Sequence, residues 1–369
     1  MWHTRNSKQS IYKKLEVNII LKIICDNKNN RWNDIVKSFN NWDVYYLYEY
    51  AYSFELHGDG KPLLVYFEND DERLCYVVMQ KDIYESNLFG DKIKPLQYFD
   101  WETPYGYGGP LVSKSISNKN QTLFLKELLE YCNQNGVVSQ FVRFHPILDN
   151  YNILPMVIES RFLRETIYID TTDLEKIFKN MDSKNRNMIR KAEKNHVTIQ
   201  KCEITELESF IDMYNETMLK NGADDYYIFN TEYFESLNLL RDNACVFYAM
   251  FDSMPIAASI ILYNSKYVHY HLSGSHTEYR KYSPTNLLLY EVAKWAYKNG
   301  MEKFHLGGGM NPNDSLFGFK KQFNKNGYLP FVVGRTIFNR EKYNRLLNFR
   351  CEIDEEFDKN NSFMIQYRR

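Results

Sequence analysis

Apolar and polar positions alternate with strand-like and helix-like periods along the whole chain, which is typical of a mixed α/β fold. The segments KPLLVYFEN at 61–69 and ERLCYVVMQKD at 72–82 predict a hairpin that turns at two aspartates. An amphipathic helix is predicted at 121–136, and its Asn-Gly end is typical of a left-handed cap. The β-branched and aromatic run at 137–146 predicts the strand that follows this helix.

The second half of the chain repeats this order of elements. Its pattern predicts a strand–turn–strand unit at 245–264, a third strand at 266–276, an amphipathic helix at 283–300 and a further strand at 303–309. Ser283 is predicted as the N-cap of that helix, with Pro284 at its first position. The repetition predicts two copies of one α/β unit.

The length of 369 residues also favours two domains. We predict that the boundary between them lies where the chain leaves the first unit. The predicted organisation is an N-terminal extension at 1–40, a first unit at 41–165, a second unit at 166–345 and a helical tail at 346–369.

Charge balance and cysteine usage narrow the class of protein. Lys and Arg total 46 against 47 Asp and Glu, so the net charge of −1 argues against DNA binding and lends no support to a large tRNA footprint. Six scattered cysteines without a C-x-x-C pair predict reduced thiols in a cytoplasmic protein. The apolar run at 17–25 is too short to span a bilayer, and it either packs on the first unit or makes a peripheral membrane contact.

Two stretches carry positive charge at places suited to anions. On the predicted helix at 184–195, Arg186 and Arg190 are four positions apart and can face one phosphate. A solvated basic face is the alternative. Arg280 and Lys281 come just before the next predicted helix start, where unpaired N–H groups favour anions.

A third stretch, FGFKKQFN at 317–324, places two lysines among three phenylalanines, shortly after the glycine run at 307–309. Asp314 is predicted as the N-cap of a short helix here. Successive helical residues are about 100° apart, so Lys320 and Lys321 cannot both face a cleft. We predict that Lys320 does.

Taken together, NRNMIRKAEKN, VHYHLSGSH, HLGGG and DSLFGFKKQF resemble the Fem family of peptidyltransferases and related acyltransferases of the GNAT superfamily, including BioF2-like acetyltransferase domains. TPYGYGGPL at 103–111 and FVRFHP at 141–146 are similar to the same group. The resemblance covers about residues 40–340 and implies two tandem GNAT-like domains, of which the second is catalytic. Each would have a mixed, mostly antiparallel sheet flanked by helices.

The resemblance, together with the charge pattern, assigns candidate roles. The catalytic pair of the Fem family falls on Phe319 and Lys320. Residues expected to bind the acyl donor are Gly307, Gly308, Gly309, Arg280, Lys281, Ser283 and Asn286. Residues expected to bind the acceptor are Arg186, Arg190, Tyr270, His271 and Tyr105, and strand alternation allows only one of the adjacent pair to face the cleft.

The implied reaction is direct attack of an amine on an ester or thioester carbonyl, without a covalent enzyme intermediate. The acceptor would be the amino group of a cell-envelope precursor, either a peptidoglycan muramyl peptide, nucleotide- or lipid-linked, or an amino-sugar of a surface polysaccharide. No tightly bound cofactor is expected, and either acyl-CoA or aminoacyl-tRNA would be the co-substrate. RKYSPTN at 280–286 lacks the glycines that typical GNAT enzymes place before the coenzyme A pyrophosphate, and no window predicts the long helical arm of some Fem proteins.

Three alternatives stay open. The first is a coenzyme A-dependent N-acetyltransferase acting on a sugar. The second is a non-catalytic, degenerate GNAT module that binds a glycan precursor. The third is a metal role for His269 and His271, whose side chains share one strand face. Because the sequence pairs no carboxylate or cysteine with these histidines, we predict no metal site.

Overall fold

A computed structural model describes residues 20–311 and 314–369 of the protein. The strands are, in chain order, β1 (Leu21–Ile24), β2 (Lys61–Asn69), β3 (Glu72–Asp82), β4 (Phe99–Glu102), β5 (Leu111–Val112), β6 (Val137–Arg143), β7 (Glu159–Asp170), β8 (Thr198–Glu203), β9 (Ala244–Phe251), β10 (Met254–Tyr263), β11 (Tyr267–Ser275), β12 (Lys303–Gly307) and β13 (Tyr328–Ile337). The helices are α1 (Arg31–Lys37), α2 (Tyr48–His57), α3 (Asn118–Gln134), α4 (Leu174–Lys179), α5 (Ser183–Lys194), α6 (Glu208–Lys220), α7 (Thr231–Ser236), α8 (Pro284–Lys298), α9 (Ser315–Lys321) and α10 (Arg340–Ile353).

The strands form one continuous sheet in the order β1-β2-β3-β4-β6-β13-β7-β12-β11-β10-β9-β8, with β5 beside β3. Neighbouring named strands are antiparallel except in two pairs, β4 with β6 and β11 with β12. Each parallel pair is connected through a helix, α3 or α8, because parallel strands need a crossover connection. The predicted mixed α/β fold, with a mostly antiparallel sheet flanked by helices, is confirmed, and the repeated unit is visible as β4–α3–β6 and β11–α8–β12.

The two units share their central strands. β13 pairs with β6 on one side and with β7 on the other, and β7 also pairs with β12 near its end. The predicted boundary after residue 165 therefore lies inside a strand that belongs to both units, and the division into domains stays a prediction.

The predicted hairpin is confirmed, since β2 and β3 pair from Lys61 with Gln80 to Asn69 with Glu72. Of the apolar run at 17–25, residues 17–19 lie outside the described residues. The rest contributes β1, which adds to β2 at the sheet edge. Among the helices of residues 20–311 and 314–369, none has the length and apolar character needed to cross a bilayer.

Both predicted N-cap residues precede their helices, but only one of them caps its helix with a side-chain hydrogen bond. Asp314 caps α9, and its side chain accepts a 2.8 Å hydrogen bond from the N–H of Phe317. Ser283 occupies the N-cap position of α8 with Pro284 after it, but its side chain makes no capping hydrogen bond. Its left-handed backbone, with φ of 59°, directs the hydroxyl to the sulfur of Met188 at 3.3 Å instead.

The C-terminal tail returns to the first unit. It is helical only as far as Ile353, followed by irregular chain and a short 3-10 helix. Arg368 lies 2.9 Å from both Asp100 and Glu102, and Tyr367 donates a hydrogen bond to Asp100. This buried charge cluster fixes the end of the chain to β4.

Candidate functional site

The parallel strands β11 and β12 part after three residue pairs, the last of which is His269 with His305. Beyond this point β12 ends at Gly307, whereas β11 continues to Ser275. An opening between two parallel strands exposes backbone N–H and C=O groups that no neighbouring strand satisfies. This opening is the candidate site.

The side chain of Lys320 lies at this opening. Its Nζ donates a 2.7 Å hydrogen bond to the carbonyl oxygen of Gly308 and stands 5.6 Å from the ring centre of Tyr270 on β11. The residue is only 8% exposed, and burial lowers the pKa of its ammonium to about 8. Lys321 is exposed beside the ring of Tyr328. The buried lysine is therefore the one that reaches the opening.

The glycine run gives the opening its bare backbone. Gly307 has φ of 74°, a conformation that favours glycine, and a Cβ there would lie 3.3 Å from Nζ of Lys320 and 3.5 Å from Oη of Tyr107. A Cβ on Gly309 would lie 2.0 Å from Oδ1 of Asp314. A side chain at Gly307 would therefore fill the space beside the ammonium group, and one at Gly309 would displace the carboxylate of Asp314.

Asp314 links the glycine run to α9. Besides capping that helix, its carboxylate accepts hydrogen bonds from the N–H groups of Met310 at 2.6 Å and Asn311 at 2.9 Å. These backbone hydrogen bonds lower the pKa of Asp314. Phe317 and Phe323 are buried in the core of the second unit, so the helix that carries Lys320 is held at both ends.

The first unit contributes the irregular loop 103–110 to the same opening. The ring of Tyr107 lies 5.0 Å from that of His305 and 5.5 Å from that of Phe331. Tyr105 lies 6.0 Å from His271, so two of the predicted acceptor residues are together. The site is therefore lined by both units.

Beneath this loop lies a buried polar cluster. Oδ2 of Asp43 is 3.0 Å from Nε2 of His269 and 3.7 Å from Nε2 of His145. All three side chains are at most 1% exposed. Burial alone would raise the pKa of Asp43, but the two imidazoles lower it well below its usual value, so the group is a carboxylate.

Within residues 20–311 and 314–369, these three side chains form the one group whose ligand atoms are close enough to share a metal ion. The sequence paired His269 with His271, but Nε2 of His271 instead meets the hydroxyl of Tyr233 at 2.8 Å. Burial lowers the pKa of His271 to about 3, so this ring is neutral.

Arg186 and Arg190 do share one face of α5, as the spacing predicts. Both guanidinium groups lie over the ring of Phe178, at 5.9 and 5.4 Å, and Arg186 also donates to the carbonyl oxygen of Met181. Both guanidinium groups therefore contact α4, and that of Arg186 also contacts the segment that follows α4. The two arginines make no contact with Lys320 or Tyr105.

The remaining predicted donor residues surround the N-terminus of α8. Asn286 donates a 2.7 Å hydrogen bond to the buried side chain of Asn185 on α5, while Arg280 and Lys281 are exposed in the preceding 3-10 helix. Together with the contact between Ser283 and Met188, this places α5 against the first turn of α8.

Sequence reasoning missed four residues of the site, namely Asp43, Tyr107, His145 and His305. Tyr107 and His145 fall in segments already singled out, TPYGYGGPL and FVRFHP, and His305 precedes the glycine run. The run WDVYYLYEY at 42–50 carried no recognised signal for Asp43.

A sequence model of the acetyltransferase (GNAT) domain matches residues 179–321, from the end of α4 to the end of α9. No curated protein matches the chain. The match contains Lys320, the glycine run and the strand opening between β11 and β12, so the sequence comparison and the geometry select the same part of the molecule.

Solved structures share the fold at low sequence identity. The crystal structure of FemX is 13% identical, with 88% of this chain and 99% of that chain covered and a TM-score of 0.66. A conserved protein of unknown function from Bacteroides thetaiotaomicron is 12% identical, with coverages of 86% and 99% and a TM-score of 0.56. The C-terminal domain of a putative lysylphosphatidylglycerol synthetase from Agrobacterium fabrum is 12% identical, with coverages of 86% and 94% and a TM-score of 0.51.

Proposed function

We propose that the chain is an acyltransferase of the GNAT superfamily that forms an amide bond on an amino group of a cell-envelope precursor, supported by the matched GNAT domain and by the fold shared with FemX. The observation that carries this proposal is the buried ammonium of Lys320 beside the bare backbone of 307–309, at the point where β11 and β12 part. A fixed positive charge in a water-poor opening suits a reaction in which negative charge develops on a carbonyl oxygen.

In the proposed reaction the acceptor amine attacks the donor's carbonyl carbon, so a C–N bond forms and the bond to the leaving sulfur or oxygen breaks. The amine loses one proton, and the leaving group gains one. The ammonium of Lys320 donates only one hydrogen bond within the described residues, to Gly308, and it has further N–H donors to offer the developing oxyanion. Phe319 is half-buried and packs edge-on against Phe323, which steadies the helix beneath the lysine.

The acceptor is proposed to lie between the two units, where Tyr105 and His271 face each other. Because His271 is neutral and hydrogen-bonded to Tyr233, its proposed role is to orient the acceptor rather than to move a proton. Similarity of fold to FemX favours a muramyl peptide, and similarity to the synthetase domain favours a lipid-linked acceptor.

Two donor classes compete, acyl-CoA and aminoacyl-tRNA. A GNAT enzyme that holds a pyrophosphate at a helix N-terminus needs free N–H groups there. Here α5 packs against the first turn of α8 through Asn185 and Met188, which leaves little access to that end. This contact favours a donor that does not dock its phosphates on α8, and therefore an aminoacyl donor.

The test combines binding with product detection. Thermal shift is measured against coenzyme A thioesters, aminoacyl-tRNA and uridine-diphosphate-muramyl peptides, and mass spectrometry then follows the acceptor. We expect the acceptor to gain the mass of one aminoacyl group. A gain of one acetyl group from acetyl-CoA on an amino-sugar would favour the alternative enzyme. Binding of a precursor without any product, under all donors, would indicate a non-catalytic module and contradict the proposal.

A further inference from the structure

The buried carboxylate of Asp43 has no role in the proposed chemistry, although it lies next to the site. It precedes a 3-10 helix, Val44–Tyr46, and its Oδ1 accepts a 3.4 Å hydrogen bond from the N–H of Tyr45. A fully buried anion is retained only when nearby groups compensate the loss of water. Its other oxygen, Oδ2, accepts a 3.0 Å hydrogen bond from Nε2 of His269, and Nε2 of His145 lies 3.7 Å from the same oxygen.

The hydrogen bonds around these rings define which nitrogen carries the proton. The N–H of Leu148 donates to Nδ1 of His145 at 3.3 Å, so in the neutral ring the proton is on Nε2, facing Asp43. Burial lowers the pKa of His145, which keeps it neutral. Nδ1 of His269 has no partner within the described residues, so its one hydrogen bond is the one from Nε2 to the carboxylate.

This pattern is the reverse of a metal site. A metal-binding imidazole offers its Nε2 lone pair to the ion and donates the N–H of Nδ1 to a second acceptor. Nδ1 of His145 receives a hydrogen bond, and that of His269 meets no acceptor within the described residues. The cluster is therefore a carboxylate that accepts a hydrogen bond from His269, with Nε2 of His145 3.7 Å from the same oxygen and without a hydrogen-bond partner within the described residues.

His269 connects this cluster to the candidate site. It forms the last pair of β11 with β12, opposite His305, and the two rings are 5.9 Å apart. The next residue, Tyr270, lies beside Lys320. A shift of His269 would therefore move the point where the strands part and the wall against which the ammonium rests.

We propose that Asp43 is a positioning residue for acyl transfer, acting through the Nε2–H of His269 to fix the opening between β11 and β12. This inference rests on the proposed function, because the opening matters only if an acyl group reacts there. Catalytic groups need placement within about 0.5 Å, which rigid supporting hydrogen bonds supply. Asp43 comes from the N-terminal segment of the first unit, so the first unit takes part in the chemistry of the second.

A matched pair of substitutions tests the hydrogen bond itself. The amide nitrogen of Gln reaches the place of imidazole Nε2, whereas that of Asn reaches only the place of Nδ1. We expect His269→Gln to keep kcat within about threefold of the wild type, and His269→Asn to lower kcat by about tenfold or more with KM changed little. Equal loss in both variants would overturn the proposal.

A measurement on the wild-type protein does not depend on activity or on any variant folding. With ¹⁵N-labelled histidine, we expect both His269 and His145 to show the Nε2–H tautomer, with slow exchange of the His269 proton that is hydrogen-bonded to Asp43. An Nδ1–H tautomer, or stoichiometric zinc in the purified protein, would overturn the inference. If the wild type transfers no acyl group, the proposed function fails instead, whatever the tautomers show.

Discussion

The ammonium of Lys320 donates its hydrogen bond to the carbonyl oxygen of Gly308, so a cation and a strand end that lie 12 positions apart form one surface. Their contact brings together two neighbouring features of the sequence, the lysine pair and the glycine run. It also makes a definite choice between Lys320 and Lys321, since only the former is buried.

Replacing Lys320 by Met should remove most of the turnover. If the ammonium stabilises the oxyanion, kcat is expected to fall by about 10²–10³ while the acceptor still binds. Lys321→Met is the matched control, because that side chain is exposed and should leave kcat within about twofold. Product formation by mass spectrometry and acceptor binding by calorimetry measure the two effects separately. Comparable losses in both variants would contradict the role given to Lys320.

The rate should depend on pH through the same group. Because burial lowers the pKa of Lys320 to about 8, the protonated form that donates to the oxyanion is lost above that pH, and kcat should fall. The neighbouring groups do not titrate near pH 8. Burial raises the pKa of Tyr270 and lowers the pKa of His305 far below its usual value. Backbone hydrogen bonds lower the pKa of Asp314. A rate–pH profile for two acceptors of different basicity tests this. If the pH at which the rate falls shifts with the pKa of the acceptor, the titrating group is the acceptor amine and not Lys320.

Stability should change in the opposite direction from activity. A lysine whose pKa is lowered in the folded state destabilises the fold at all pH values below about 8, and that penalty fades as pH rises further. Lys320→Met is therefore expected to raise the free energy of unfolding by about 1–3 kcal/mol at pH 7, after loss of the hydrogen bond to Gly308. Urea denaturation at pH 7 and pH 10 measures the difference, which should shrink at the higher pH. A less stable Met variant at pH 7 would show that this lysine is a structural group.

Much of the fold could be predicted from the sequence because its signals are local. The period of the apolar positions identified the β2–β3 hairpin and the crossover helices α3 and α8, and Asp314 was recognisable as a cap from its place before an apolar run. Ser283 was wrong as a side-chain cap because its backbone conformation depends on the 3-10 helix before it.

The site was only partly predictable because its contacts are not local. Asp43 and His269 are 226 positions apart, and no single-sequence pattern joins them. Lys320 could be found because a motif of adjacent Phe and Lys residues is itself local. For Arg186 and Arg190, the spacing correctly predicted a shared helix face. It could not predict that both guanidinium groups lie over the ring of Phe178, which is a contact with another helix.

Two glycine-to-alanine substitutions test whether the shape of the glycine run matters for activity. One lies in the run itself, and the other lies in the neighbouring helix α9. A Cβ on Gly309 would meet the carboxylate of Asp314 at 2.0 Å and displace the cap of α9, so Gly309→Ala should lower both kcat and the melting temperature. Gly318, in the middle of α9, has no atom within 4 Å of its added Cβ. Gly318→Ala should therefore stabilise the protein by about 0.5–1 kcal/mol and leave kcat unchanged. If Gly309→Ala had full activity, the opening would not need its present shape.

The charge cluster of the tail predicts that the end of the chain stabilises the first unit. Burial alone would raise the pKa of Glu102, but Arg368 and Arg143 lower it overall, and Arg368 also contacts Asp100. Arg368→Ala leaves the buried carboxylate of Asp100 and the partly exposed carboxylate of Glu102 without that partner, and the free energy of unfolding should fall by about 1–3 kcal/mol.

The exposed pair of Arg345 with Glu341 is the matched control, and Arg345→Ala should change the free energy of unfolding by less than about 0.5 kcal/mol. Because the folded-state pKa of Glu102 is lowered, the stabilisation from its pairing is present near pH 7 and is lost as pH falls through that pKa. Urea denaturation at pH 7 and pH 4 should therefore show a smaller difference between wild type and Arg368→Ala at the lower pH. Equal effects of the two arginine substitutions at pH 7 would mean that the tail is not held by its charges.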